Sequence, residues 1–188
     1  MRLFSLRRRG QPASDTPRSR KRREGAAAVE FAMVATPFFL MIFAVLELGL
    51  VFLVDSVLEN AVVEASRVVR TGQADESNLS AAQFKSALCA EMSVFAGDCA
   101  SRADVDVRVM PEFSDGIPAS PIKNGVLDKS DMQYDRGGPG DLMLVRVFYS
   151  QPLVTPFMQQ AMSRLNSGAA VISVATAFRN EPYRGPNP

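Results

Sequence analysis

The chain of 188 residues contains no histidine. That excludes a Ser-His-Asp triad, a Cys-His pair and a histidine-based zinc site. Cysteine is scarce as well, with only Cys89 and Cys99, and without histidine the two are not expected to form a metal pair. The glycine-rich Gly137-Gly138-Pro139-Gly140-Asp141 lacks the Lys-Ser/Thr of a phosphate loop and reads as plain loop. Asp131, Tyr134 and Asp135 carry oxygens, but their spacing alone makes no calcium site. No internal repeat is visible. The expectation is therefore a protein that is not an enzyme, with no cofactor and no metal.

What is present is an uneven charge. Residues 1–25 hold nine Lys/Arg and two Asp/Glu, a balance of +7, and the remaining residues hold twelve and eighteen, a balance of −6. An Arg-rich tail can bind nucleic acid. Here it abuts a hydrophobic run, which favours a membrane and no nucleic acid. Phe31–Val54 is 24 residues with one charge, Glu47. As a helix it would measure about 36 Å, more than the roughly 30 Å core of a bilayer. It is too long for the apolar part of a signal peptide, and no small-x-small cleavage site follows. Arg22-Arg23 is a poor twin-arginine signal, since Glu24-Gly25 follows with no short apolar region behind. The basic side should stay in the cytoplasm and residues 60–188 should lie outside.

Three regions are expected: a basic cytoplasmic leader over 1–25, a transmembrane and juxtamembrane spine helix over 26–72, and an exported domain over 73–188. Residues 1–24 read as disordered from their composition. Pro37 should remove one backbone bond from the spine. Past the membrane Val57, Leu58, Ala61, Val62, Ala65, Val68 and Val69 recur at helical spacing, with Gly72 as the stop. Residues 80–95 predict a helix capped at Ser80. Asp104–Met110 predicts a half-buried strand with valines on one side and Asp106 and Arg108 on the other. Residues 111–140 should be mostly loop, with a hairpin turn at Asn124-Gly125. Leu142–Tyr149 and Ala169–Arg179 predict strands, and Thr155-Pro156 opens a short helix through Leu165. The tail from Asn180 should be loose. Strands with few helices between them favour an α+β fold with an antiparallel sheet. Cys89 and Cys99 both fall in the exported part, where an oxidising compartment makes a disulfide the default and two buried free thiols the alternative.

Glu30 stands out. It heads the apolar run in Gly25-Ala26-Ala27-Ala28-Val29-Glu30-Phe31, where a carboxylate is costly in lipid. It could neutralise an ammonium at Ala26, in its own chain or a neighbour, or it could snorkel to the interface. Glu47 and Asp55 mark the outer interface, unless Glu47 meets another helix. The stretch Arg23–Ala32, followed by Pro37 and Glu47-Leu48-Gly49, resembles the TadE-like family of minor pilins, or pseudopilins, of the Tad/Flp tight-adherence pilus. The helix Leu58–Arg67 and the segment Pro152–Arg179 are also similar, more loosely. The resemblance implies cleavage between Gly25 and Ala26 by a prepilin peptidase and an assembly charge at Glu30-Phe31. It implies the bacterial inner membrane as location, with the carboxyl-terminal domain in the periplasm. Its implied partners are other pilin and minor pilin subunits and the pilus assembly platform, and its implied role is in adherence and biofilm formation. Major pilins of this system are very short and carry Glu-Tyr after the cut. Glu30-Phe31 and the large exported part here imply a minor subunit. Two alternatives remain: an uncleaved TadG-like envelope component, or an anchored periplasmic binding or sensor protein.

Overall fold

The computed structural model describes residues 17–183. Helix α1 spans Pro17–Arg70. It starts earlier than composition suggested, because Arg and Lys are good helix formers and Pro17 sits where its missing N–H costs nothing. The disorder expected for residues 1–16 lies outside the described residues, as does the end of the tail beyond 183. Pro37 lies inside α1, and the neighbouring Thr36 hydroxyl donates to the Ala32 carbonyl at 2.8 Å.

The chain divides into two compact units, residues 1–42 and 43–188. In the first, the described side chains from Gly25 onward are almost all exposed, including Phe31, Met33, Val34 and Phe38. In the second, the rest of α1 is amphipathic. Val51, Val54, Leu58, Ala61, Val62, Ala65 and Val69 are buried in the core. Their spacing of three and four residues puts one stripe against the domain. The end of the apolar run Phe31–Val54 therefore packs on protein, and Val51 and Val54 are core residues.

Gly72 ends the helix, as its φ of 80° permits, and the four-residue α2, Gln73–Glu76, follows. Helix α3, Ala81–Glu91, begins with a capping box: Gln83 N–H donates to the Ser80 hydroxyl, and its side-chain oxygen accepts from the Ser80 N–H. It stops short of residue 95 because Ser93 has φ 52° and opens a 3-10 turn. Helix α4, Ala96–Arg102, was not anticipated.

Strand β1, Ala103–Met110, pairs antiparallel with β4, Leu142–Pro152, and β4 pairs antiparallel with β5, Ala169–Arg179, in the order β1-β4-β5. Between β1 and β4 lies the expected small hairpin, β2 Ile122–Lys123 and β3 Val126–Leu127, turned by Asn124 and Gly125, both at positive φ. Helix α5, Pro156–Met162, is shorter than expected. The α+β class and antiparallel sheet agree with the sequence reading.

One face of the sheet, with Val107, Met143, Val145, Val147 and Tyr149, belongs to the same buried cluster as the α1 stripe. The strand β1 does not alternate as expected. Asp106 is fully buried while Val109 is partly exposed. The reason is Arg146, which faces Asp106 across the β1–β4 ladder. The tail is not loose through residue 183 either. The Glu181 N–H donates to the Arg70 carbonyl, Asn180 is buried, and the Tyr183 ring occupies the space where a side chain on Gly72 would go.

Candidate functional site

Gly25, Ala26, Glu30 and Phe31 all lie on α1 with exposed side chains. The helix runs through the Gly25–Ala26 bond, so a peptidase that needs extended backbone must first unwind it. Glycine favours that, since it is about 1 kcal/mol worse than alanine in a helix interior. A Cβ at Gly25 would meet nothing within 4 Å, so no packing explains the glycine. Glu30 lies five residues along the same helix, and among the described residues no basic side chain pairs with it. Phe31 is exposed beside it. In the intact chain Ala26 has no amino terminus, and the ammonium expected to meet Glu30 does not exist until the bond is cut.

Glu47 has a role the sequence did not reveal. Its carboxylate accepts the backbone N–H groups of Val154 and of Thr155, the latter at 3.0 Å. Thr155 precedes the first residue of α5. The carboxylate thus ties α1 to the β4–α5 connection of its own chain, and not to another helix. Asp55, two turns on, is exposed.

A second polar cluster lies under the long loop. Asp106 Oδ2 accepts from Arg146 Nε at 2.8 Å and Nη2 at 2.6 Å, while Oδ1 accepts from Arg108 Nη2 at 2.6 Å and from the Gln133 N–H at 3.0 Å. Arg146 Nη1 also donates to the Pro118 carbonyl at 2.7 Å, and Arg108 Nη2 to the Asp131 carbonyl at 2.9 Å. The loop between β1 and β4 is thereby pinned over the sheet face opposite α1. Burial would push the Asp106 carboxyl up, but hydrogen bonds from Arg108, Gln133 and Arg146 hold it below its ordinary value. On the loop, Lys123 donates to Asp128 at 2.7 Å and Asp131 at 3.1 Å, and the Lys123 hydrogen bond keeps the Asp128 carboxyl low. These are structural ion pairs made within the chain. A charge at 146 in an otherwise apolar strand was the signal available in the sequence.

Cys89 and Cys99 form a disulfide with Cα atoms 5.4 Å apart. It joins α3 to α4 across the 3-10 turn, and both residues are buried. Among the described residues no cluster of acids and cysteines suits a metal ion. One described helix, Gly25–Arg70, is long and apolar enough to cross a membrane.

Residues 25–67 match the model of the TadE-like protein family. The match opens on Gly25 and ends within the amphipathic part of α1. It covers under a quarter of the chain and none of the sheet. No curated protein and no solved structure gives a significant match. The similarity is thus confined to α1, and residues 68–183 lie outside it.

Proposed function

We propose that this protein is a minor pilin or pseudopilin of a Tad/Flp-type pilus, cut after Gly25 and held by α1 in the bacterial inner membrane. The observation that carries this is the TadE-like match beginning at Gly25, on a helix that over residues 25–34 is exposed and, apart from Glu30, uncharged. The excess of Lys and Arg in residues 1–25 supports a cytoplasmic location for that end and a periplasmic one for the folded unit. Oxidation of Cys89 and Cys99 suits that compartment. The role is structural, not enzymatic. A peptidase removes the basic leader, the helix waits in the bilayer, and assembly brings it against other pilin subunits and the assembly platform in support of adherence and biofilm formation.

In this reading Glu30 acts through charge. Cleavage creates an ammonium at Ala26, and opposite charges about 4 Å apart attract by about 4 kcal/mol at an effective dielectric of 20, before desolvation costs. Glu30→Gln keeps the shape and removes the charge. It should leave cleavage and membrane anchoring intact and impair piliation. Normal piliation by that variant would make Glu30 a snorkelling interface residue.

The mature chain should begin at Ala26, and Gly25→Leu should block processing. Intact-mass measurement on protein from cells with an active prepilin peptidase decides this. A chain that keeps its leader there would favour the second reading, an uncleaved TadG-like envelope component. The continuity of α1 through the Gly25–Ala26 bond is the observation on that side.

A further inference from the structure

Val154 and Phe157 stand on either side of the start of α5 and are 84% and 68% exposed. They are held in place from below. Glu47 grips the backbone at Val154 and Thr155, Thr155 itself is buried, and Leu153 and Met158 are anchored in the core. Two large apolar side chains on so fixed a segment are not fraying. They are presented to something.

Their depth says what. If α1 crosses a membrane from Ala26, as the proposed function has it, about 20 helical residues suffice and the hydrocarbon ends near residue 46. Glu47 is the next position. The segment it grips therefore lies at the edge of the outer leaflet. The charge pattern agrees. From Leu153 to Met162 there is no Asp, Glu, Lys or Arg, and the next charge is the exposed Arg164. On α1 the next acids past Glu47 are Asp55 and Glu59, further out by two and three turns. Leu46, Leu50 and Leu53, in the same turns of α1 as Glu47, are exposed and apolar. A carboxylate that would be costly at this depth has its charge solvated by two backbone N–H groups of the chain itself.

We propose that the Val154–Phe157 segment is an interfacial anchor that dips into the headgroup boundary of the outer leaflet and fixes the height of the folded unit on the membrane. The occupant of this apolar patch is lipid. Short apolar segments bound in this way bury about 5–10 Å into the interface. Anchoring of this kind would resist extraction of α1 until assembly supplies a competing surface.

The chain contains no tryptophan, so a single one reports its own site. Full-length protein carrying Phe157→Trp, Leu40→Trp or Phe113→Trp is reconstituted in phosphatidylethanolamine/phosphatidylglycerol vesicles, with and without brominated acyl chains. Leu40 lies within the apolar run, and Phe113 is exposed on the loop after β1. The expected result is blue-shifted emission and strong bromine quenching at 40, clear quenching by bromines near the headgroup at 157, and none at 113. Quenching at 40 with 157 as unquenched as 113 would overturn the anchor and leave the membrane span standing. A blue shift at 157 without quenching would mean that a second copy of the chain covers the patch, and would overturn it too. No quenching at 40 would remove the span, and the anchor with it.

Discussion

Replacing Asp106 by Asn should release the loop that covers the sheet. The aspartate is fully buried and Arg146, 6% exposed, places both Nε and Nη2 against its Oδ2. An Asn keeps one oxygen for the Gln133 N–H and Arg108 but turns an amide N–H₂ toward Arg146, or the reverse. In the first case the buried Arg146 guanidinium faces a donor and retains the Pro118 and Ala119 carbonyls; in the reverse, Arg108 and the Gln133 N–H face one, and Arg108 retains the Asp131 carbonyl. Removing one partner of a buried pair typically costs about 3–5 kcal/mol. Two carbonyl contacts survive, so we expect the lower end, about 3 kcal/mol. The assay is guanidinium unfolding of full-length protein in detergent, followed by near-ultraviolet circular dichroism of the buried Tyr149, with limited proteolysis of residues 111–133 as a local readout. The double variant Asp106→Leu/Arg146→Met removes both charges and should recover much of the loss, since well-packed apolar replacements of buried pairs are often neutral. Acid provides an independent check. The folded carboxyl lies below its ordinary 3.8, so its contribution is full above that value and lost as the pH falls through the folded one. Wild-type protein should therefore lose stability below about pH 4, and Asp106→Asn should lose less of it. A loss under about 1 kcal/mol in Asp106→Asn, as for a surface ion pair, would refute the reasoning.

Three further outcomes follow from named contacts. Glu47→Gln can satisfy only one of the two N–H groups, so amide exchange at Val154 and Thr155 should accelerate while the core of β4 is unchanged; unaltered exchange would mean the contact holds nothing. Replacing Cys89 and Cys99 by Ser opens a small loop and should lower stability by about 2–3 kcal/mol in the loop-entropy account, read as a shift in denaturation midpoint that reductant reproduces in the wild type. Gly72→Ala forces a side chain into a left-handed position at a cost of about 1–2 kcal/mol, and into the Tyr183 ring besides; a Tm equal to that of the wild type would show that the tail does not pack there.

The parts of the fold that were legible in the sequence are those governed by a single periodicity. The helical stripe from Leu58 to Val69, the cap at Ser80, the turn at Asn124-Gly125 and the strand Ala169–Arg179 each carry their own signal, and each lies where expected. What misled was pairing across long separations. Asp106 in β1 reads as the wet side of a strand until Arg146, forty residues on, is placed opposite it. A loop with many glycines and prolines reads as solvent-exposed until two arginines are seen holding its carbonyls. Glu47 meets residues more than a hundred positions away. At Asn180–Tyr183 composition suggested a loose end, but composition cannot register that Arg70 and Gly72 offer a carbonyl and a gap.

Three carboxylates in this chain sit in apolar stretches, and their fates differ in a way that bears on assembly. Asp106 is answered by Arg108 and Arg146, and Glu47 by two backbone N–H groups. Both are internal solutions, which fold the chain upon itself. Glu30 has none among the described residues, although it lies where an unanswered charge costs about 2.5–3.5 kcal/mol if it enters lipid. With two such groups satisfied and the third exposed, the proposed function gives the third a cation from elsewhere. Five residues before it is the bond whose cleavage, in the proposed function, would create one. An ammonium at Ala26 would lie on the same helix about 6 Å of rise from Glu30, the i,i+4 spacing that Asp98 and Arg102 bridge at 3.2 Å in this chain. Spacing alone therefore allows Glu30 to meet the ammonium of its own cut chain or that of a neighbouring subunit. Pairing with a neighbour predicts that Glu30→Gln impairs piliation and leaves the stability of the isolated mature protein unchanged, whereas pairing within the chain predicts a loss of stability in the isolated mature protein as well.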